Sequence, residues 1–326
     1  MVADTIALPP DVVGELVVAA RPILAGADPH QLVADLVEAG IEQYVAADPA
    51  VAGALFAVQG AELGRSTLLD LVLAGAEYRP GTRVVLPMPG ERRPPGTTRD
   101  DDVVVDGIVD VPESAQDLIV HTAGAAVRVP VTDLSVVPAR GFDPGLGLAV
   151  VRGTVHRNDA EPVAAPVWEV VADRAAVMVA HELVGVGGRA LAVAVTHVAE
   201  RMQFGRPLAA LQSVRHRLAT VHVELEAARA LLASHDEFDE IAALAVKAAA
   251  GGAALGAVAA AQQVCGAMGF TAEHGLHASV RRAAVLDSLF GSAADLEIEI
   301  GALLAARGCL PPPVPLVASG AEAGHA

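Results

Sequence analysis

Apolar positions recur at helical steps towards both ends of the chain, and between them they gather into short β-branched runs broken by Gly, Pro and Asp. Over residues 11–75 the pattern predicts short helices. Val12, Leu16 and Ala19 fall on one face, and Leu32, Leu36, Ile41 and Tyr44 follow at near-helical spacing. From about 82 to 156 the pattern is that of strands. Val103-Val104-Val105-Asp106-Gly107-Ile108-Val109 places Asp-Gly between apolar runs, which predicts a hairpin with a primed turn because Gly tolerates positive φ. Further strands are predicted at 118–122, 126–131 and 146–155, separated by turn formers, and 91–102 reads as an exposed loop. The expected sheet is antiparallel.

After residue 168 the helical period returns and persists. Val177, Val184, Gly188, Leu191, Val195, Val198 and Met202 line one predicted helix. Val214, Leu218, Val221, Leu225, Ala228 and Leu232 line the next, with Arg215, His222, Glu226 and Arg229 elsewhere around it. A third helix is expected from about 241 to 268 and a fourth from about 283 to 306. The fold class that follows is α+β and multi-domain: an N-terminal helical segment at 1–75, an antiparallel β middle domain at 76–160 and a C-terminal four-helix bundle at 161–310. A flexible tail at 311–326 is expected from its PPPVP run and the Ala, Gly and Ser beyond it.

Composition narrows the possible functions. Of the 326 residues, 22 are Lys or Arg and 39 Asp or Glu, a net charge of -17, and no basic cluster stands out that could follow a phosphate backbone, so nucleic acid is not an expected partner. Cys265 and Cys309 are far apart, with no second Cys or His at metal spacing, so neither a disulfide framework nor a zinc site is expected and no metal is assigned. A reducing cytoplasm fits, and the first residues lack the basic start and apolar core of an export signal. The most apolar stretch, 241–261, is long enough to cross a membrane. It carries Lys247, however, and is mostly Ala and Gly, so a buried helix packed through small residues is expected there, with no membrane span.

Two segments of the expected bundle carry more than periodicity. One is Arg201-Met202-Gln203-Phe204-Gly205-Arg206-Pro207-Leu208, followed by Gln212; the other is Gln263-Val264-Cys265-Gly266-Ala267-Met268-Gly269-Phe270-Thr271. An Arg fork can pair with a pyrophosphate, Gln amides can donate hydrogen bonds, and Gly lets a backbone come close to a ligand. Each segment alone also has a plainer reading, since Arg at a helix end complements the dipole and Gly-rich turns end helices. Together and in this order they resemble the acyl-CoA dehydrogenase family, which reads R-x-x-F-G at the end of one bundle helix, a Gln further on, and Q-x-x-G-G-x-G-F after the third helix. Arg281-Arg282 stands where the family often has Arg-Asp at the opening of its last helix. The resemblance is strong over 168–308, weaker over the sheet, and at the N-terminus rests on Glu62-Leu63-Gly64-Arg65. It implies that FAD lies across a subunit interface. Arg201, Phe204, Gln212, Gln263, Gly266 and Ala267 would then cover the adenosine diphosphate half of a flavin held by a neighbour, Phe204 as an apolar wall.

The resemblance also implies a carboxylate base that removes the proton next to a thioester while the flavin takes a hydride from the following carbon. The family's usual Y-E-G is here Leu289-Phe290-Gly291, so Phe290 takes the place of the Glu and no catalytic residue is assigned to this chain. The alternative place on the first bundle helix falls at or near Ala175. Glu182 reads as a structural or polar-face residue, Asp173 as an N-cap and Asp287 as a surface charge. The T-E-P-x-x-G-S-D-like segment that meets the flavin ring has no counterpart between 76 and 156. Phe290-Gly291-Ser292-Ala293 is similar to an F-G-x-A pattern of actinobacterial subunits. The resemblance therefore implies the non-catalytic subunit of a heteromeric α2β2 acyl-CoA dehydrogenase acting on steroid side-chain CoA thioesters, completing the FAD site while a partner subunit supplies the catalytic Glu. The alternatives are a flavin-free scaffold that stabilises such a partner and, last, a self-sufficient dehydrogenase using Glu182.

Overall fold

The computed structural model describes residues 9–110, 114–141, 143–234, 240–271 and 274–308; the tail at 311–326, Cys309 and the first eight residues lie outside them. Five helices open the chain: α1 (Pro10–Leu24), α2 (Gln31–Glu38), α3 (Glu42–Ala47), α4 (Pro49–Glu62) and α5 (Leu68–Ala74). Asp48 caps α4 by accepting from the Ala50 amide at 2.9 Å, with Pro49 preset in the first turn. The buried face of α1 is not the expected one. Ala20 and Leu24 are buried with Val13, Leu16 and Val17 packed beside them, whereas Val12 and Ala19 are exposed. Val13, Val17, Ala20 and Leu24 repeat at the same helical steps as Val12, Leu16 and Ala19, and Asp11, Glu15 and Arg21 lie away from both faces, so the period does not select between them.

The middle region holds β1 (Thr82–Val84), β2 (Gly96–Arg99), β3 (Asp102–Val109), β4 (Asp117–His121), β5 (Ala126–Pro130), β6 (Ser135–Pro138), β7 (Ala149–His156) and β8 (Glu161–Val163). They form two four-stranded sheets, β1-β4-β5-β8 and β2-β3-β7-β6, antiparallel except that β1 runs parallel to β4. The hairpin expected at Asp106-Gly107 is absent: β3 runs straight through both residues, pairing them with Arg152 and Val151 of β7. Gly107 is needed for close approach, since a Cβ there would lie 2.4 Å from the Leu86 carbonyl oxygen, beside the two-way bridge of Leu86 with Ile108. The real turn joins β2 to β3 at Asp100, which takes φ 51°, so the loop expected over 91–102 contains a strand.

Alternation along β4 shows how the layers stack. Leu118 and Val120 face the core between the sheets, with Val103, Val105, Val127, Val129, Val151 and Val155. Ile119 faces the helices, and His121 on the same side packs at 5.5 Å from the Trp168 ring. His121 is 1% exposed, its Nε2 has no hydrogen-bond partner, and burial pushes its pKa down to about 4 from 6.5. The unfolded chain therefore binds a proton that the folded chain does not, and stability falls as pH drops through that window. The separation corresponds to about 3 kcal/mol. His121→Phe is expected to flatten the acid-side loss, read as urea midpoints between about pH 4 and 7; an unchanged slope would contradict the assignment.

The last region comprises α6 (Trp168–Glu200), the ribbon strands β9 (Met202–Gln203) and β10 (Arg206–Pro207), α7 (Gln212–Ser234), α8 (Glu240–Cys265), α9 (Leu276–Ser288) and α10 (Ala293–Arg307). Helix α6 packs against α4 on one side and α8 on the other through small residues. A Cβ on Gly185 would lie 2.2 Å from the Ala57 carbonyl oxygen, and one on Gly60 would lie 2.0 Å from that of Glu182. The opening helices and the bundle thus share one apolar core. Both α6 and 241–270 are long and apolar enough to span a membrane, but each is 67% buried within the protein over its most apolar window, as core helices are. Met202, expected on α6, lies beyond it in β9 and is exposed.

The single fourth helix expected from about 283 is two helices, and Arg281-Arg282 sits inside the first rather than at its opening. The chain breaks at Phe290 (φ 58°) and Gly291 (φ 94°), and Ser292 caps α10 by accepting from the Asp295 amide. Lys247 of α8 fixes the break, donating to the carbonyls of Asp287 at 3.0 Å and Gly291 at 3.1 Å. Its ammonium is fully buried, and burial pushes its pKa down to about 8. Asp287 is no surface charge: it is buried, and its carboxylate accepts from the Ala293 amide at 3.1 Å.

Candidate functional site

The R-x-x-F-G segment leaves α6 as a tight ribbon. Arg201 ends the helix, its amide bonded to the His197 carbonyl and its own carbonyl accepting from the Leu208 amide at 2.9 Å. Phe204 and Gly205, at φ 52° and 75°, form the two-residue turn between β9 and β10, the backbone signature of a type I′ turn. Holding a Phe in that region costs about 1–2 kcal/mol, yet the ring is 86% exposed and gains little from packing within this chain.

Gln212 opens α7, exposed, with its amide nitrogen 3.4 Å from the His216 ring. Gln263 is exposed near the end of α8, across a groove of about 580 Å³ whose other wall includes Ser213, His216, Arg217 and Thr220 of α7. Gly266 follows α8 with φ 59° and open space where a Cβ would stand, and Ala267 beside it is exposed. Because α6, α7 and α8 alternate in direction, the end of the first, the start of the second and the end of the third meet at one end of the bundle. The structure therefore places all six expected residues at that end, five of them exposed and Gly266 half-buried.

The electrostatics of this end differ from those of the chain as a whole. Residues 201–217 hold four Arg and no carboxylate in a protein of net charge -17, a short basic run that the composition reading passed over. Among the described residues, the Arg201 guanidinium makes no hydrogen bond or ion pair. Met202 and Phe204 on the ribbon and Met268 and Phe270 on the turn after α8 all stand exposed, adding apolar surface. Free guanidinium donors, outward amides, an open glycine and exposed apolar walls fit a diphosphate joined to an aromatic group.

The positions where the resemblance implies a base lie elsewhere. Phe290 is 1% exposed and belongs to the helical core. Lys247, which holds its turn, precedes Gln263 by sixteen residues on α8, about 24 Å at 1.5 Å per residue. Ala175 is fully buried. Asp173 lies within α6 rather than capping it, and pairs with Arg92 at 2.8 Å.

Glu182 is buried rather than on a polar face. It accepts from Arg282 and from Gln59, each at 2.9 Å. Burial pushes its carboxyl pKa up, against the opposing pull of Arg282. Arg282 also binds Asp143 at 2.9 Å and the carbonyls of Gly64 and Leu63. This network crosses from bundle to opening helices and was not legible in any motif.

Nor was the meeting of His197, Cys265 and His274, which lie at the candidate end on three separate elements. Burial, then the neighbouring His274 and Arg201, hold the His197 imidazole below its ordinary pKa.

The family profile described as acyl-CoA dehydrogenase, C-terminal domain, matches residues 168–303. Acyl-CoA dehydrogenase IpdE2 of Mycobacterium tuberculosis is 33% identical over 186 residues, 56% of this chain and 54% of that protein, so the match spans about half the length of this relative. Among solved structures, a Tcur3481–Tcur3483 steroid ACAD variant superposes with a TM-score of 0.72 at 21% identity, covering 91% of this chain and 99% of that one. The ChsE4–ChsE5 complex from Mycobacterium tuberculosis gives 0.71 at 19% identity, over 94% and 98%. These likenesses show the fold across the helices and the sheet alike.

Proposed function

We propose, from the match of residues 168–303 to the acyl-CoA dehydrogenase C-terminal domain profile, that this chain is the FAD-completing, non-catalytic subunit of a heteromeric acyl-CoA dehydrogenase. The complex forms an α,β-unsaturated acyl-CoA in the cytoplasm, as an α2β2 assembly in which a homologous partner subunit supplies the catalytic Glu. The observation that carries this reading is that the outward-facing set at one end of the bundle is kept while the position where the resemblance implies a base is filled by a buried Phe. FAD, when bound, supplies the hydride acceptor. Arg201 pairs with its diphosphate through a two-pronged donor, Gln212 and Gln263 orient it, Gly266 and Ala267 admit it close to backbone, and Phe204 keeps water from its apolar side. A steroid-type acyl group is favoured by the likeness to the Tcur3481–Tcur3483 steroid ACAD.

The test is to purify the chain alone and with an acyl-CoA dehydrogenase partner encoded beside it, reading flavin content and acyl-CoA oxidation. Flavin and turnover are expected only in the mixed complex. Within that complex Arg201→Ala is expected to weaken flavin retention about ten- to hundredfold, the range for one charge-assisted pair of hydrogen bonds. A complex whose flavin content and turnover ignore Arg201→Ala would refute the assignment and leave the flavin-free scaffold. A yellow, active homo-oligomer would refute the non-catalytic reading.

A further inference from the structure

Behind the candidate cofactor end, three side chains that neither the fold nor the proposed function requires come together. His197 is in the last turn of α6, Cys265 is the last residue of α8, and His274 lies two residues before α9. One ligand atom from each lies within 4.8 Å of the other two. The two rings stand edge to face with centroids 6.0 Å apart. A second observation points to a ligand: among the described residues His274 Nδ1 is buried with no hydrogen-bond partner, a state that is costly unless something satisfies it. The cluster also opens onto a pocket of about 440 Å³ that both histidines line, with Glu200 on its wall.

We propose that His197, Cys265 and His274 form a binding site for a divalent transition-metal ion of the zinc class, its fourth position opening onto the pocket for water or the Glu200 carboxylate. Two imidazoles and a thiolate favour such an ion over magnesium or calcium, which take oxygen ligands. Zinc–sulfur and zinc–nitrogen bonds of about 2.3 and 2.0 Å put tetrahedral ligand atoms about 3.3–3.7 Å apart, so the cluster needs to close by about 1 Å. Rotation of the two imidazoles and a small movement of the turn carrying His274 supply it. Coordination exchanges the Cys265 thiol proton, released to solvent, for the metal–sulfur bond. The ion ties the turn at 266–271 to the end of α6. It therefore braces Gly266 and Ala267 against Arg201, a consequence that rests on the proposed function, whereas the site itself does not.

The test uses the full chain stripped with chelator and titrated with cobalt(II), then with zinc(II). One cobalt per chain is expected, with a thiolate-to-cobalt charge-transfer band and tetrahedral ligand-field absorption that zinc displaces. Cys265→Ala and His274→Gln are expected to abolish the band and to weaken zinc binding at least about tenfold, with far-ultraviolet circular dichroism unchanged and a His216→Gln control unaffected. If Cys265→Ala does not fold, His274→Gln on its half-buried turn gives the same reading. Cobalt bound without a charge-transfer band, or at unchanged affinity in the folded variants, overturns the site. Neither readout involves flavin, so its failure is separate from failure of the proposed function.

Discussion

Arg282→Ala is expected to lower stability by about 3–5 kcal/mol, the range for removing one partner of a buried ion pair. The guanidinium is 3% exposed and satisfies two carboxylates, Glu182 and Asp143, together with the carbonyls of Gly64 and Leu63. Those carbonyls follow α4, where Leu63 takes φ 54°, so one side chain fixes the bend that leads the opening helices out of the core they share with α6. Truncation leaves the Glu182 carboxylate buried with Gln59 as its remaining neutral donor. Burial already raises that carboxyl, and without Arg282 it rises further. The folded variant then holds a proton that its unfolded chain gives up. Its deficit is full above the raised folded value and shrinks as pH falls towards the ordinary carboxylate range. Urea midpoints at neutral and mildly acidic pH read both effects, and adding Glu182→Gln is expected to recover part of the loss. A deficit under about 1 kcal/mol at neutral pH would show that the network contributes specificity rather than stability.

How much could be read from the chain depended on whether the deciding partner was near in sequence. The stripe of α7 was legible from Leu218 to Leu232 because one face is apolar and the other carries Arg215, His222 and Glu226, so local pattern and burial agree. The face of α1 was not, since two adjacent faces carry apolar residues at helical steps and the neighbours that choose between them lie on α4. Asp106-Gly107 has the local chemistry of a turn, but the glycine answers to the Leu86 carbonyl twenty-one residues earlier. The break between α9 and α10 answers to Lys247, more than forty residues before it. The two segments that carry the family resemblance were legible in their order along the chain, and the structure adds that they share one exposed end. The Arg282 network and the His197, Cys265 and His274 cluster draw each member from a different element, so no spacing could announce them.

Phe290→Glu is expected to destabilise the chain by about 2–4 kcal/mol and to confer no acyl-CoA oxidation, alone or in the complex. The substitution puts a carboxylate where relatives carrying the Y-E-G pattern have one, and so separates a missing group from a missing site. Phe290 is 1% exposed among the helical core, at a left-handed turn that Lys247 and Gly291 hold in place. A carboxylate there gives up the transfer of a large aromatic ring and meets a desolvation cost that no polar pocket offsets. It either protonates or opens the turn, and while Lys247 holds the turn the side chain stays within the core instead of facing a thioester. The contrasting result, a stable variant that oxidises acyl-CoA, would mean that a substrate cavity opens at the break once a partner is bound, and that the catalytic half of the site was lost through one side chain. Denaturation midpoints, together with single-turnover flavin bleaching in a complex whose partner subunit has its own catalytic Glu replaced by Gln, distinguish the two. The expected pairing of instability with silence follows from a position built as core: Phe290 is buried, and the turn that carries it is fixed by Lys247.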